Sequence, residues 1–377
     1  MRGPRLGTAL LLGLTGCSAT GPVPAPPPST VGRTSASPTD VSPPVPDEVR
    51  VTDPASLRAA LAAARPGQTI TLADGRYSGR PARGGDDGDE PGRYMITTSG
   101  TAAAPITLRG SRAAVIDGDG PGGGYVLHLV GASHWVLRGF TASSGSKGIV
   151  LDRSSHDVLD DLHVTDIGAE GVHLRDSSSD NVLSSSEIDH TGVKQQGFGE
   201  GVYLGSASSS WGRYSGGQPD RSDRNQVLDN HLHDTAAENI DVKEGTSGGL
   251  VRGNTLDGDG TAGQNSADSW IDVKGSDYLI ERNHGVHTAA ASEPADCARG
   301  REARFCSGFE VHTPIEGSGA RNTFRGNRLE VDAPGAGIWL QHTAVDRGNV
   351  IGCDNEVVGA GAGPYATNHY SPLGCTP

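Results

Sequence analysis

The stretches Asn239-Ile240-Asp241-Val242-Lys243 and Trp270-Ile271-Asp272-Val273-Lys274 are near-copies of one motif. Each alternates apolar and charged residues, which is the period of a β-strand with one buried and one solvated face. Two such strands stacked in register would place their carboxylates about 4.8 Å apart. Because this stacking of like charges is costly, we expect compensation by a divalent cation near the Asp residues and an acidic ligand over the Lys residues.

The motif recurs along the chain with apolar residues at its second and fourth places. Its copies lie at 124–128, 148–152, 171–175, 201–205, 239–243, 270–274, 308–312 and 337–341. A second short strand follows each copy, and five of these strands are followed by an Asn, namely Asn230, Asn254, Asn283, Asn327 and Asn355. Since Asn tolerates left-handed backbone and bonds locally, we expect a ladder of stacked amides at one bend, with an architectural role.

These repeats predict an all-β fold, a right-handed parallel β-helix in which each coil packs on its neighbours. This solenoid would span residues 49–377. The Ala-rich segment 54–65, with Asp53 as N-cap and Pro66-Gly67 after it, is predicted to be a helix that caps the first coil. The net charge of −14 and the aromatic content of 5% argue against a nucleic-acid partner.

The N-terminus has the features of an export signal. Residues 1–17 combine two Arg with an apolar run too short to span a membrane, and they end in Leu14-Thr15-Gly16-Cys17. That ending is typical of a bacterial lipoprotein signal, with an ordinary signal peptide as the alternative. We therefore predict an exported, monomeric protein whose only membrane association is a lipid on Cys17. Residues 18–48 are rich in Pro, Ser and Thr and would form a tether.

Four further cysteines, an even number in a chain with an export signal, predict two disulfides. They are Cys297, Cys306, Cys353 and Cys375. Of three connectivities, proximity in sequence favours Cys297–Cys306 and Cys353–Cys375. A metal site is the competing interpretation, but the chain lacks Cys-x-x-Cys spacing.

The outward places of the motif gather titratable residues in its central copies. The third places are Val126, Val150, His173, Tyr203, Asp241, Asp272, Glu310 and Trp339. The fifth places are His128, Asp152, Arg175, Gly205, Lys243, Lys274, His312 and Gln341. Hard oxygen ligands from several coils suit Ca²⁺. Its predicted ligands are Glu200, Glu238, Asp241, Asp272 and Glu310. The alternative is that the Asp–Lys pairs are ordinary surface ion pairs.

A Lys beside a bound cation suits β-elimination from a uronate, because the cation would acidify the C5 proton and the Lys would remove it. Lys243 is the first candidate base and Lys274 the second. Arg175 would bind a carboxylate, and His312 or His173 would protonate the leaving oxygen or bind sugar hydroxyls. The predicted sugar-stacking residues are Tyr203, Trp211, Tyr214 and Trp339, the last of which could equally line or cap the core.

The chain resembles the parallel β-helix polysaccharide lyases, including pectate lyases and the chondroitinase B/alginate lyase family. Segments 56–77 and 104–110 are similar to their N-terminal cap and first coils, and the resemblance covers most of residues 50–375. In the chondroitinase B/alginate lyase family a calcium-binding Glu precedes the catalytic Lys by five residues, as Glu238 precedes Lys243. Where that family places a proposed acid, an Arg one coil further on, this chain has Lys274.

The resemblance and the outward residues together predict an exported, calcium-dependent lyase that acts on an acidic, uronic-acid-containing polysaccharide. A glycoside hydrolase on the same scaffold would instead use Asp241, Asp272 or Glu310 as acid and base. A uronate epimerase would share the proton abstraction. A non-catalytic carbohydrate-binding surface protein is the alternative from a different class.

Overall fold

The computed structural model describes residues 47–78, 92–288 and 306–377. The predicted signal peptide, Cys17, nearly all of the tether and Cys297 lie outside these ranges. No helix within them is long and apolar enough to cross a membrane.

Each coil contributes one strand to each of three sheets, which we name A, B and C in the order in which the chain visits them. Sheet A contains β1 (Glu48–Val51), β2 (Thr69–Leu72), β5 (Ile106–Arg109), β8 (Trp135–Arg138), β11 (Val158–Asp160), β14 (Val182–Ser184), β17 (Gln226–Leu228), β20 (Leu250–Arg252), β23 (Leu279–Glu281), β26 (Thr323–Arg325) and β29 (Val350–Ile351). Sheet B contains β3 (Gly75–Ser78), β6 (Ala114–Asp117), β9 (Thr141–Ser143), β12 (His163–Thr165), β15 (Glu187–Ile188), β18 (His231–Leu232), β21 (Thr255–Asp257), β24 (His284–His287), β27 (Arg328–Val331) and β30 (Glu356–Val358). Sheet C contains β4 (Tyr94–Ile96), β7 (Leu127–Val130), β10 (Ile149–Asp152), β13 (Val172–Arg175), β16 (Val202–Leu204), β19 (Ile240–Val242), β22 (Ser269–Val273), β25 (Ser307–Val311), β28 (Ile338–Leu340), β31 (Tyr365–Thr367) and β32 (Ser371–Pro372).

The three stacked parallel sheets confirm the predicted β-helix. Among the described strands, only the terminal pair β31–β32 is antiparallel. The helices are α1 (Pro54–Ala62), α2 (Trp211–Tyr214) and α3 (His342–Val345). Single 3₁₀ turns occur at Gln196–Phe198, Ser208–Ser210, Gln264–Ser266 and Asn368–Tyr370.

The core is a stack of apolar residues that point inward from successive coils. In sheet C these include Val202, Leu204, Ile240, Val242, Ile271, Val273, Phe309 and Val311, all fully buried. Each such side chain contributes roughly 1.5–3 kcal/mol by leaving water. The inward stack therefore fixes which residues point outward on the same strands.

The register of sheet C agrees with the motif alignment in the centre of the chain. Asp241 pairs with Asp272, and Asp272 pairs with Glu310. The alignment of the first copy was wrong, since His128 and not Val126 lies beside Val150. A two-residue shift leaves the inside–outside alternation unchanged, so periodicity alone could not detect this error.

Helix α1 caps the N-terminal coil as predicted. The Asp53 carboxylate accepts hydrogen bonds from the backbone N–H groups of Ala55 at 2.9 Å and Ser56 at 3.0 Å. Leu57 and Leu61 are buried in the core. The helix ends at Ala62, three residues earlier than predicted, because Ala63 has φ −98° and ψ 5°.

The predicted ladder of amides is confirmed at the corner between sheets A and B. The side-chain N–H of each Asn donates to the amide oxygen of the next, at 3.0, 2.9, 3.0 and 2.8 Å along Asn230, Asn254, Asn283, Asn327 and Asn355. At the first four of these bends the residue before the Asn is left-handed, such as Asp229 with φ 54° and Gly253 with φ 70°. The Asn side chain thus closes the bend, while its neighbour provides the turn.

The disulfide prediction is confirmed for Cys353–Cys375, whose Cα atoms lie 5.0 Å apart. It ties the C-terminus to the last coils. Cys306 is also disulfide-bonded, and the predicted partner Cys297 lies outside the described residues.

Candidate active site

The outer face of sheet C carries the predicted site residues on β13, β16, β19, β22, β25 and β28. Their third places line up in register from His173 through Tyr203 and Asp241 to Trp339. The insertion at 206–226 lies beside this face, since the backbone N–H of Ser208 donates to Glu244 at 2.6 Å. A second long segment between strands, 288–307, lies almost entirely outside the described residues.

Three buried carboxylates form the centre of this face. Glu200, Glu238 and Asp241 are 3%, 4% and 1% exposed, and each offers an oxygen within 4.8 Å of the others. Burial and the nearby carboxylates raise the pKa of Glu200 to about 8 and raise the pKa of Glu238 well above its usual value. Glu200 Oε2 has no hydrogen-bond partner among the described residues. The cluster is therefore short of positive charge and of hydrogen-bond donors.

Two lysines bind the same cluster from one side. Lys274 Nζ lies 3.0 Å from Asp241 Oδ1 and also contacts Asp272, and Lys243 contacts Asp241. Burial opposes the charged form of each lysine, but Asp241 and the other nearby carboxylates together outweigh it and raise the pKa of both above the ordinary value. At Lys274 the carboxylates thus also outweigh the repulsion from Lys243.

Asp272 and Glu310 form a separate arrangement with His312. His312 Nδ1 lies 2.8 Å from Asp272 Oδ1, and its Nε2 lies 3.6 Å from Glu310 Oε2. Burial opposes the charged imidazole, but Asp272 raises the pKa of His312 to about 9. The ring of Trp339 lies 5.2 Å from that of His312. Asp272 and Glu310 thus neutralise His312 and Lys274, and do not join the central carboxylate cluster.

Tyr203 and His173 lie on the other side of the cluster. The Lys243 ammonium is 4.7 Å from the centre of the Tyr203 ring, and the His173 ring is 4.5 Å from that ring. Burial raises the pKa of Tyr203 well above its usual value, so its phenol keeps its proton. His173 is buried with Nε2 at 2.9 Å from the carbonyl oxygen of Gly205, and its Nδ1 faces Lys147 at 3.4 Å.

Arg175 is 0% exposed. Its guanidinium donates to both oxygens of Asp152 at 2.7 and 3.1 Å, and it lies 4.0 Å from the centre of the Tyr214 ring. A substrate could contact Arg175 only after these partners moved. Trp211 likewise packs beside Gly245 and donates from its indole N–H to the carbonyl oxygen of Ser206 at 3.0 Å, so it holds the insertion in place.

A cleft of about 240 Å³ lies next to Tyr214 on this side. It is lined by Lys147, Lys194 and Arg213 together with Tyr125. The sequence reasoning missed these three cations. Lys147 could have been found, because it precedes its strand at the place that Glu170, Glu200 and Glu238 occupy in later copies.

Calcium fits the central cluster by chemistry. Glu200, Glu238 and Asp241 supply hard oxygens from adjacent coils, and the unpartnered Glu200 Oε2 is available to a cation. Asp241 already contacts Lys243 and Lys274. A bound ion would therefore share the oxygens of Asp241 with these two ammonium groups.

Comparison with known proteins finds relatives among solved structures. No family model and no curated protein match the chain. The alginate lyase from Paenibacillus sp. str. FPU-7 is 33% identical, with 85% of this chain and 97% of that chain covered and a TM-score of 0.72. Pectate lyase Pel9A is 15% identical over 76% of each chain with a TM-score of 0.54, and the Dettilon tailspike protein gp208 is 14% identical, over 85% of this chain and 60% of that one, with 0.53. The last two share the fold alone. With 33% identity over almost the whole of a lyase of the same fold, this chain belongs to the parallel β-helix polysaccharide lyases.

Proposed function

We propose that the protein is an exported, calcium-dependent polysaccharide lyase that cleaves a uronic-acid polysaccharide, with alginate as the first candidate, by β-elimination. The observation that carries this proposal is the meeting of Lys243, the protonated phenol of Tyr203 and the carboxylate cluster on one face. The relation to a lyase whose name specifies alginate supports the choice of substrate.

The basic cleft supports an acidic substrate. Lys194 and Arg213 line it together with Lys147, whose ammonium also pairs with Glu170 at 2.6 Å, although the whole chain has a net charge of −14. A local positive field inside an acidic protein attracts anions to that one place. The cleft lies on the Tyr203 side of the carboxylate cluster, so a polyuronate could occupy it while one of its sugars reaches Lys243.

In the proposed reaction Lys243 acts in its neutral form, which a cation held by the neighbouring carboxylates would favour over the ammonium. Its Nζ removes the C5 proton of a uronate, and the Tyr203 hydroxyl donates a proton to the leaving O4 oxygen. The C5–H and C4–O bonds break and a C4–C5 double bond forms, so the proton count balances once Lys243 returns its proton to water and Tyr203 regains one. Bound Ca²⁺ would stabilise charge on the uronate carboxylate and offset the carboxylates beside Lys243. Glu200, Glu238 and Asp241 would hold it.

Lys274 is less suited to be the base. It bridges Asp241 and Asp272, whereas Lys243 contacts Asp241 and lies against the ring of the candidate acid. We assign Lys274 to orienting Asp241 and binding the uronate carboxylate. His312, held by Asp272 at 2.8 Å, is on the far side of Lys274 and is the second candidate acid.

The activity test is a screen of alginate, pectate, glucuronan and glycosaminoglycans that follows the absorbance of unsaturated products. We expect product from alginate. No absorbance with any substrate would contradict the lyase proposal, and new reducing ends without a double bond would indicate a hydrolase. Native mass spectrometry tests calcium binding separately, on protein that is treated with EDTA and then given calcium. Glu238→Gln is the variant that should no longer bind the ion. Full activity after chelation would refute calcium dependence and leave the lyase proposal standing.

Export and lipidation are tested on the mature protein. Mass spectrometry of its N-terminal peptide should show a lipid on Cys17, and Cys17→Ser should release the protein from membranes. The Cys353–Cys375 disulfide supports export, because such bonds persist mainly in oxidising compartments. An unmodified Cys17 in membrane-free protein would indicate an ordinary secretion signal.

A further inference from the structure

A second cluster of titratable side chains lies on the outer face of sheet B. His163, Glu187 and His231 are in register on the adjacent strands β12, β15 and β18. Residues two positions apart on a strand share a face, so Asp189 and His233 point outward beside them. This cluster is on a different sheet from the candidate active site.

Three of these residues converge on one point. Glu187, His231 and His233 each offer a ligand atom within 4.8 Å of the others. His233 Nε2 lies 3.4 Å from Glu187 Oε1 and 3.7 Å from Asp189 Oδ2. Two atoms bound 2.0–2.1 Å from a tetrahedral ion are about 3.3 Å apart. The observed separations are long for strong hydrogen bonds and close to those between two ligands of one ion.

The orientation of the His233 ring is fixed by a carboxylate at the ring nitrogen that is directed away from Glu187. Its Nδ1 lies 2.7 Å from Asp234 Oδ2, and an N–H donated there leaves the Nε2 lone pair directed at Glu187. Metal-binding histidines are commonly held by such a carboxylate. Arg112 lies 3.8 Å from Glu187 Oε2, which leaves Oε1 facing the histidines. Asp189 accepts from His163 and His190 at 2.8 and 2.9 Å.

We propose that Glu187, His231 and His233 bind a divalent transition-metal ion of the zinc type, with Asp189 or water in the fourth position. Two imidazoles with carboxylate oxygen favour zinc over calcium, which prefers oxygen ligands alone. The ion would join β15 to β18, and the chain between these strands contains the insertion 206–226 that borders the active face. The ion would hold together the coil that the insertion leaves and the coil to which the insertion returns.

The test is calorimetric titration of the EDTA-treated full-length protein with Zn²⁺ at neutral pH. We expect one equivalent to bind at this site, with affinity at least tenfold lower in His231→Ala and in His233→Ala. His231 is exposed, so its replacement should fold and carries the test if His233→Ala does not. Zn²⁺ should also raise the Tm of the wild type and leave that of His231→Ala unchanged.

Two control variants separate this site from other zinc-binding groups. His284 is on the same sheet and lies 3.2 Å from Glu330, yet His284→Ala should bind Zn²⁺ like the wild type. Glu238→Gln removes a carboxylate of the sheet C cluster and should also retain the zinc bound on sheet B. No Zn²⁺ binding by the wild type, or unchanged affinity in both His231→Ala and His233→Ala, would overturn the proposal.

Discussion

Two stacks of buried polar side chains run along this solenoid, and they differ in whether their members can hydrogen-bond to one another. The Asn ladder lies between sheets A and B, and the carboxylate and lysine columns lie on the outer face of sheet C. Both repeat one residue type on successive coils. The amides and the carboxylates are almost inaccessible to solvent, as Asn254 and Asp241 show with 0% and 1% exposure.

The amides of the ladder satisfy one another. Asn283, for example, donates from its side chain to Asn327 at 3.0 Å and to the carbonyl oxygen of Val251 at 3.1 Å. An amide carries both a donor and an acceptor, so identical neighbours can pair without limit along the stack. The ladder is neutral and complete, as expected of a structural element.

Carboxylates cannot pair in this way because they only accept hydrogen bonds and repel one another. Glu200 and Glu238 accordingly have raised pKa values, and Glu200 Oε2 has no partner among the described residues. Repetition of a buried polar residue therefore does not indicate function by itself. The informative property is whether the repeated groups satisfy each other.

The largest expected effect is on turnover, from Lys243→Ala. If Lys243 is the base, kcat/KM on alginate should fall on the order of 10³-fold, measured by unsaturated-product absorbance on protein shown to be folded by circular dichroism. The matched variant is Lys194→Ala, which removes an exposed Lys of the basic cleft. It should raise KM a few-fold with kcat nearly unchanged. Retention of more than a tenth of the wild-type kcat in Lys243→Ala would exclude it as the base.

The ladder should respond in stability instead. Asn283→Ala removes two donated bonds and leaves the backbone N–H and one side-chain N–H of Asn254 without their acceptor. We expect a loss of about 2–4 kcal/mol in the free energy of unfolding, measured by denaturant titration, with kcat unchanged in the folded protein. Gln264→Ala, at an exposed amide side chain that donates to Gln196 at 2.8 Å, should cost less than about 1 kcal/mol. Equal losses in the two variants would contradict the structural role of the ladder.

The sequence was sufficient to predict the coil and its central register. Inward Ile and Val residues alternate strictly around Asp241 and Asp272, and the recurring Asn marks the same corner in five coils. The sequence was insufficient where alternation is ambiguous. His128 was misplaced because Leu127 and Leu129 are both buried, so a shift of two residues preserves the pattern.

Contacts between side chains of different coils also could not be predicted from the sequence. The bridge from Lys274 to Asp241 depends on how the Lys side chain reaches across to the preceding coil. The burial of Arg175 depends on Tyr214, which arrives from an insertion whose path no periodicity specifies. The His–x–His pattern at 231–233 was visible, but its convergence with Glu187 required knowledge of the register.

Asp157 belongs to a second, shorter ladder of buried side chains, in which its carboxyl group can be replaced by an uncharged amide. Its backbone N–H donates to Asn181 at 2.9 Å, as that of Asn181 does to Asn225 at 3.0 Å. Asp157 Oδ2 is buried and without a partner among the described residues. Burial raises the pKa of Asp157 to about 8 from an ordinary value of 3.8. An Asn here should complete the ladder.

The pH dependence follows from this shift. The folded state retains the Asp157 proton between about pH 4 and 8, where the unfolded state has lost it, so stability should fall as pH rises by up to about 1.4 kcal/mol per unit. Asp157→Asn should remove this contribution. The free energy of unfolding of the variant, relative to that of the wild type, should therefore be about 2–3 kcal/mol greater at pH 8 than at pH 6. Denaturant titrations at both pH values measure it. Parallel pH profiles for the two proteins would show that Asp157 ionises normally.

The smallest expected effect comes from removing one ionisable carboxylate from the sheet C cluster. Glu238→Gln preserves the shape of the side chain and removes a buried group that must either repel Asp241 and Glu200 or take up a proton, so in EDTA the free energy of unfolding should rise by about 1 kcal/mol. Glu316→Gln, at an exposed Glu, should change it by less than about 0.5 kcal/mol. With calcium added the order should reverse, because the wild type gains stability by binding the ion and the variant has lost a ligand. A variant that is less stable in EDTA and equally stabilised by calcium would mean that Glu238 is satisfied as the amides are, and the contrast between the two stacks would not hold at this residue.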